Sequence, residues 1–159
     1  MNFAFKHILL LMLVILGGCG FQLAAPPDLP GGLDRVAIEA EDTRSELYIA
    51  LERALLDRGI GIDPRAPTRI VLSVVETGQR VLSVSARNIP REYEVFYTVA
   101  FSFTRDGALK FESDPLTLTR DYQWSEFEVL GKEREAADLR ALIVQDLVDT
   151  ILRQIASRG

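Results

Sequence analysis

Cys19 is the only thiol in this chain of 159 residues, and its surroundings single it out for chemistry. It directly follows Gly17 and Gly18, and an apolar run over residues 8–16 precedes them, with a lysine before the run. A positive start, a short apolar middle and small residues at the end are the layout of an export signal. The run is too short to span a bilayer, which needs roughly 20 apolar residues. The pattern predicts a signal peptide over residues 1–18.

The segment Leu16-Gly17-Gly18-Cys19 resembles the lipobox of bacterial lipoproteins, although Gly17 is a less usual occupant than Ala or Ser. The resemblance implies a diacylglycerol in thioether linkage on the Cys19 sulfur, cleavage before Cys19 and acylation of the new amino group. Two or more acyl chains hold a protein stably on a membrane. Two alternatives stay open: an ordinary secretory peptide with an incidental cysteine, and an uncleaved anchor.

The residue after Cys19 predicts the destination. In Gram-negative cells an Asp at that position retains a lipoprotein in the inner membrane, and this chain has Gly20 there. We therefore expect a lipid-anchored protein on the periplasmic side of the outer membrane.

Cleavage before Cys19 also removes His7, the only histidine of the chain. Nucleophilic sites of the Ser-His-Asp and Cys-His types need an imidazole base, and zinc sites draw on His and Cys. No catalytic residue, metal or cofactor is therefore predicted, apart from the covalent lipid. The net charge of −5 also argues against nucleic-acid binding, which depends on neutralising phosphates.

The mature chain divides into a tether and one domain. Three prolines and the pair Gly31-Gly32 fall between Gly20 and Leu33. Proline removes backbone donors, and paired glycines resist order. We therefore expect a lipidated flexible tether over residues 19–33 and a single α/β domain over residues 34–159.

Two helices are predicted within the domain. Thr43 and Glu46 are spaced as a capping box, and the apolar residues that follow recur at helical spacing, which predicts a helix over residues 44–58. From residue 133 to residue 157 the apolar positions again follow a period of 3.6. This predicts a second, longer helix.

The strands are predicted from alternation and β-branched residues. Short apolar segments at 36–38 and 69–76 read as strands, and residues 91–104 alternate between apolar and polar. Residues 109–124 form the return strand, broken near Pro115, which lacks a donor for strand pairing. The order β-α-β-β-β-α predicts an α+β fold, with two helices packed on a mostly antiparallel four-stranded sheet.

With this order assembled, the chain resembles the LptE family, the lipopolysaccharide-assembly lipoproteins of Gram-negative bacteria. Three stretches carry the resemblance: Cys19-Gly20-Phe21-Gln22-Leu23; Ala86-Arg87-Asn88 through Glu92-Tyr93; and Tyr122 through Val129-Leu130-Gly131-Lys132. No single piece is a rigid signature, so the specificity of the match lies in their order and spacing.

The resemblance implies a binding role without enzymatic activity. Members of the family plug the lumen of LptD, a large outer-membrane β-barrel, in a one-to-one complex, and assist its assembly and lipopolysaccharide insertion into the outer leaflet. Members also bind lipopolysaccharide through a basic residue before the long strand and another before the last helix. On this sequence those positions are Arg87 and Lys132.

The residues give this role some independent support. Arg80, Arg87 and Arg91 fall within residues 78–91, which contain no acid. Arginine suits phosphate oxygens because its guanidinium can bind them in a bidentate manner. We therefore add Arg91 to Arg87 and Lys132 as a candidate lipopolysaccharide-binding residue. The alternative is that these arginines are only solvated surface.

Two other functions stay open. An auxiliary lipoprotein of a lipid-transport ATPase system could also pair a lipobox with a small α/β domain. An envelope hydrolase would need two carboxylates facing a cleft, and no spacing singles out such a pair. For a barrel partner, the candidate contact residues are the loops 87–91 and 125–132, with Phe96, Trp124 and Phe127.

Overall fold

A computed structural model describes residues 29–31 and 33–159. Cys19, the predicted signal peptide and most of the predicted tether lie outside the described residues. The elements in chain order are β1 (Arg35–Ala40), α1 (Glu46–Leu56), β2 (Gly61–Ile62), β3 (Arg69–Val84), β4 (Pro90–Arg105), β5 (Ala108–Glu112), β6 (Leu116–Gln123) and α2 (Val129–Arg158). In this part of the chain, neither helix is long and apolar enough to cross a membrane.

The strands form one mixed sheet in the order β2-β1-β3-β4-β5, and β6 also pairs with β4. β1 runs parallel to β2 and β3, whereas β3, β5 and β6 are antiparallel to β4. The α+β class with two helices is confirmed. The predicted count of four strands is wrong, since the described residues form six.

The two additional strands have separate causes. β2 has only two residues, which is too short for any periodic pattern. The predicted return strand is divided at residues 113–115, where Pro115 cannot donate to a neighbouring strand. β5 therefore pairs with residues 102–105 of β4, and β6 pairs with residues 92–99 of the same strand.

Both helices begin at other residues than predicted. The side chain of Ser45, rather than Thr43, caps α1, because Ser45 Oγ accepts a hydrogen bond from the Tyr48 amide at 3.2 Å. α2 begins at Val129, four residues before the predicted start, and its cap residue Glu128 makes no side-chain hydrogen bond to the helix. Residues 129–131 in the first turn of α2 are exposed, so they add nothing to the apolar period on which the prediction depended.

The hydrophobic core lies between the helices and one face of the sheet. Alternate residues of β4 are buried on that face, as the sequence predicted, while the residues between them are half-buried. The helices contribute two matching apolar faces to this core. The buried residues of these three elements are Val95, Tyr97, Val99, Phe101 and Phe103 of β4; Leu47, Leu51 and Leu55 of α1; and Ala136, Ile143, Val144, Leu147, Val148, Ile151, Leu152 and Ile155 of α2.

The long hairpin of β3 and β4 gives the domain two distinct ends. The turn at residues 85–89 closes the hairpin at one end. At the other end the Arg105 Nη2 donates to the Gly31 carbonyl oxygen at 2.7 Å. The described chain therefore starts at the end of β4 that lies away from the turn.

Candidate functional site

A hydrogen-bonded turn presents Arg87 at the end of the β3–β4 hairpin. The Ser85 amide donates to the Ile89 carbonyl oxygen at 2.7 Å, and the Ser85 Oγ accepts from the Ile89 amide at 3.1 Å. Asn88 adopts a positive φ of 60°, a conformation that Asn tolerates better than most residues. The turn is thus fixed by its own contacts, and the Arg87 side chain extends from it into solvent.

Beside this turn lies a cleft of about 380 Å³, which we call the tip cleft. It brings together the predicted candidates Arg87 and Arg91, together with two aromatic residues from the segment before α2. Its lining residues are Ser83, Ser85, Arg87, Ile89, Pro90, Arg91, Glu92, Gln123, Trp124, Ser125, Glu126 and Phe127.

The aromatic wall of the tip cleft is tied to β4. The Trp124 amide donates to the Arg91 carbonyl oxygen at 2.8 Å, which holds the segment after β6 against the start of β4. The Trp124 ring also meets the Tyr93 ring edge-on, with centroids 5.4 Å apart. Phe127, by contrast, is 91% exposed.

The three predicted arginines have different surroundings. Arg80 pairs with Glu94 on the neighbouring strand, and its guanidinium lies 5.4 Å from the centroid of the Phe96 ring. Among the residues that the structure describes, neither Arg87 nor Arg91 makes an ion pair. These two guanidinium groups therefore keep their donors available to an anion.

The tip cleft is not uniformly positive, because Glu92 and Glu126 also line it. The Glu92 Oε2 accepts a hydrogen bond from the Ser83 Oγ at 2.7 Å, which holds that carboxylate against β3. An anionic ligand must therefore contact the arginines directly, since the summed charge of the cleft does not attract it from a distance.

Lys132 lies in an adjacent cleft of about 440 Å³, which shares Glu92 and Gln123 with the tip cleft. Its Nζ donates to the Glu135 Oε2 at 2.7 Å, and its side chain is only 18% exposed. The prediction that Lys132 precedes the last helix is wrong, because α2 begins at Val129 and places Lys132 in its first turn. The lysine is therefore already paired, unlike Arg87 and Arg91.

The Tyr122 ring lines the cleft that contains Lys132. Tyr93 and Tyr122 stack with their ring centroids 5.7 Å apart, and the Tyr122 hydroxyl lies 3.3 Å from the Gln79 Oε1. Burial, together with the nearby Tyr93 and Glu135, raises the pKa of the Tyr122 phenol. Tyr122 therefore stays neutral at neutral pH and is a hydrogen-bonding group rather than an anion.

Sequence reasoning missed several parts of this region. Ile89 and Pro90 form an apolar part of the cleft wall; the sequence placed them in the candidate contact loop 87–91 but not in the lipopolysaccharide-binding set. The pairing of Lys132 with Glu135 was also missed, although their spacing of three residues favours an ion pair once both lie on a helix. Of the predicted aromatic contact residues, Trp124 and Phe127 line the tip cleft, whereas Phe96 lies half-buried beneath Arg80.

The chain is similar to known proteins both in sequence and in fold. The sequence profile of the LptE family, described as lipopolysaccharide-assembly, matches residues 33–155. No curated protein matches the chain closely enough in sequence to carry an argument.

Three solved structures are similar to the chain. An uncharacterized lipoprotein B from Nitrosomonas europaea has 26% identity and a TM-score of 0.71, with 87% of this chain and 91% of that chain covered. The rare lipoprotein B from Shewanella oneidensis has 24% identity and a TM-score of 0.61, with coverage of 77% and 94%. A minor lipoprotein from Acinetobacter baumannii has 24% identity and a TM-score of 0.59, with coverage of 80% and 94%. The latter two support the fold alone.

Proposed function

The chain belongs to the LptE family of lipopolysaccharide-assembly proteins, and from that membership we propose that it is an outer-membrane lipoprotein that binds lipopolysaccharide and plugs the LptD β-barrel. Membership in the family supports a role in lipopolysaccharide transport. In this proposal it acts by binding, without a catalytic step. Experiments must test three parts of this proposal: the barrel partner, the one-to-one stoichiometry and the binding of the glycolipid.

The observation that carries lipopolysaccharide binding is the pair of arginines in the tip cleft. Arg87 and Arg91 lie beside an apolar wall on a chain whose net charge is −5, and no carboxylate in the described residues pairs with either. A guanidinium binds phosphate oxygens through two parallel hydrogen bonds. The phosphates of lipid A are therefore the proposed anions.

Lys132 has a second place in the proposed site. To bind lipopolysaccharide, the Lys132 Nζ must donate to a phosphate oxygen, either in place of the Glu135 carboxylate or in addition to it. The pair is only partly exposed, with side chains 18% and 44% exposed, so the exchange is favourable only where the phosphate restores an equivalent charge-assisted hydrogen bond. We propose that Arg87 makes the larger contribution and Lys132 the smaller one.

Substitution of the cations tests the binding site. We expect Arg87→Asp with Lys132→Asp to weaken lipopolysaccharide binding by tenfold or more, at about 1.4 kcal/mol for each tenfold, because each change replaces attraction to phosphate with repulsion. Circular dichroism should show that the fold is kept, with thermal unfolding lowered only by the loss of the Lys132–Glu135 pair. The measurement is a titration of the full chain with lipopolysaccharide.

The matched control is Arg65→Asp with Lys110→Asp. It makes the same change in net charge at the other end of β4, where both side chains are exposed. The control should bind as the parent does. Equal affinities for the two double variants would contradict the proposed site.

The lipid anchor and the partner can be tested on the same preparation. We propose that Cys19 carries a diacylglycerol thioether and an acylated amino group, which the lipobox-like sequence supports. Mass spectrometry of the purified chain should show the added lipid mass. A bare thiol on Cys19 would contradict the anchor.

Affinity capture of the tagged lipoprotein from outer membranes should recover one large β-barrel protein in equal amount. Recovery of inner-membrane transporter subunits in place of a barrel would favour the alternative, an auxiliary lipoprotein of a lipid-transport ATPase.

A further inference from the structure

The segment that leads into α2 exposes two large apolar side chains. Phe127 is 91% exposed and Leu130 is 80% exposed, the highest values for large apolar residues in the described chain. Phe127 lines the tip cleft, and Leu130 follows it three residues later in the chain. Scattered apolar residues on a surface need no explanation, but neighbouring ones commonly mark a binding site. We call these two residues the apolar rim.

The exposure of the apolar rim is not caused by a loose segment. The Glu128 amide donates to the Ser125 carbonyl oxygen at 3.2 Å, and the Lys132 amide donates to the Glu128 carbonyl oxygen at 2.9 Å. These bonds order the backbone around Phe127, so its ring is presented to solvent from a hydrogen-bonded segment. The apolar face of α2 that packs on the sheet starts only at Ala136.

The apolar rim adjoins the two unpaired arginines. Phe127 lines the tip cleft together with Ile89 and Pro90, and Arg87 and Arg91 line the same cleft. Two arginines that make no ion pair thus lie next to an exposed apolar side chain. This arrangement fits a ligand in which phosphates and acyl chains are adjacent. A free phosphate or a phosphorylated sugar would leave Phe127 and Leu130 in water.

We propose that the apolar rim binds acyl chains of lipopolysaccharide while Arg87 and Arg91 hold its phosphates. This inference rests on the proposed function and adds that the site selects an acylated ligand. Withdrawing even one large apolar side chain from water favours binding about tenfold or more. The parent protein should therefore discriminate by about that factor between acylated and deacylated forms.

The experiment uses the full lipidated chain reconstituted into phosphatidylcholine vesicles. Binding is measured for intact lipopolysaccharide and for the same material after chemical removal of its acyl chains. Phe127→Ser with Leu130→Ser should bind the two ligands equally, because the preference for the acylated form is lost. The matched control, Leu109→Ser with Leu142→Ser, removes two half-exposed leucines outside the tip cleft and should keep the preference.

The outcomes separate this inference from the proposed function. If the parent binds both ligands equally, or if the apolar-rim variant keeps the parent's preference, the rim does not contact acyl chains, although the proposed function stands. Equal competition by phosphatidylglycerol would also overturn the inference, because the site would then select any anionic lipid. If the parent binds neither ligand, both the inference and the proposed function fail.

Discussion

Tyr97 shows how one side chain in the core responds to burial and charge together. It is 3% exposed on β4, and its phenol lies near the start of α1. Burial raises the pKa of Tyr97, and the carboxylates of Glu46 and Asp42 raise it further. The neutral phenol is thus the form that the fold accommodates.

This shift predicts a loss of stability in alkali. Below the ordinary tyrosine pKa of 10.0, the phenol is neutral in the folded and unfolded chains alike. Above it the unfolded chain releases the proton first, so the free energy of unfolding falls as the pH rises towards the higher folded pKa. Denaturant melts between pH 8 and pH 11 should show this fall, and Tyr97→Phe should reduce its slope. If the free energy of unfolding fell equally with pH in the parent and in Tyr97→Phe, Tyr97 would not be the cause of the fall.

The candidate arginines show what the sequence can and cannot predict about single residues. The absence of acids within residues 78–91 grouped Arg80, Arg87 and Arg91 correctly as neighbours along the chain. It could not separate them, because the partner of Arg80 is Glu94, which lies across the hairpin. That pairing depends on the register of β3 against β4, and a local window of sequence does not contain the register.

At the scale of elements, α2 holds the helical side of the core. It runs for 30 residues, and eight of them are buried. Its apolar stripe follows the period of 3.6 that the sequence predicted, because packing against a sheet imposes that period on a helix. Its start was not predicted, since nothing buried or capping marks residues 129–132.

The stripe gives a matched pair of substitutions on one helix. Leu147 is 0% exposed, whereas Leu142 is 50% exposed. Leu147→Ala should lower the free energy of unfolding by about 2–5 kcal/mol, because it removes buried methyl groups and leaves a cavity. Leu142→Ala should change it by less than about 0.5 kcal/mol, as surface substitutions usually do. Urea unfolding measures both free energies. Equal effects would mean that α2 is rotated about its axis, so that a different face packs on the sheet.

The division of the return strand into β5 and β6 was also predicted only in part. Pro115 indicated an interruption, and the interruption is present at residues 113–115. The sequence could not show that the chain then moves along β4 to pair with residues 92–99. A proline specifies where pairing stops, whereas the next pairing partner depends on contacts distant in sequence.

The whole molecule is extended along β4. This strand has 16 residues, which at about 3.3 Å per residue gives a length of about 50 Å. The tip cleft lies at one end of it, and Gly31 is hydrogen-bonded at the other. The site that we propose for lipopolysaccharide is therefore distant from Gly31, which lies in the predicted tether.

This shape can be measured directly. Spin labels on Ala86→Cys and Ala108→Cys, which flank the two ends of β4, should give a pulsed-EPR distance of about 50 Å. Both side chains are exposed, so the labels should not disturb the core. A distance below about 35 Å would show that the hairpin folds back on itself. A label on Lys110→Cys in place of Ala108→Cys checks that the result does not depend on one attachment site.

The length of β4 has a consequence for how the protein would stand in the envelope. A bilayer measures about 40–45 Å from headgroup to headgroup, which is close to the span of this one strand. A domain attached to the inner leaflet through Cys19, and upright within a barrel wall, would thus hold Arg87 level with the opposite leaflet. In that proposed arrangement the number of residues in the hairpin would set the height of Arg87, and shortening both strands by two residues would lower it by about 7 Å.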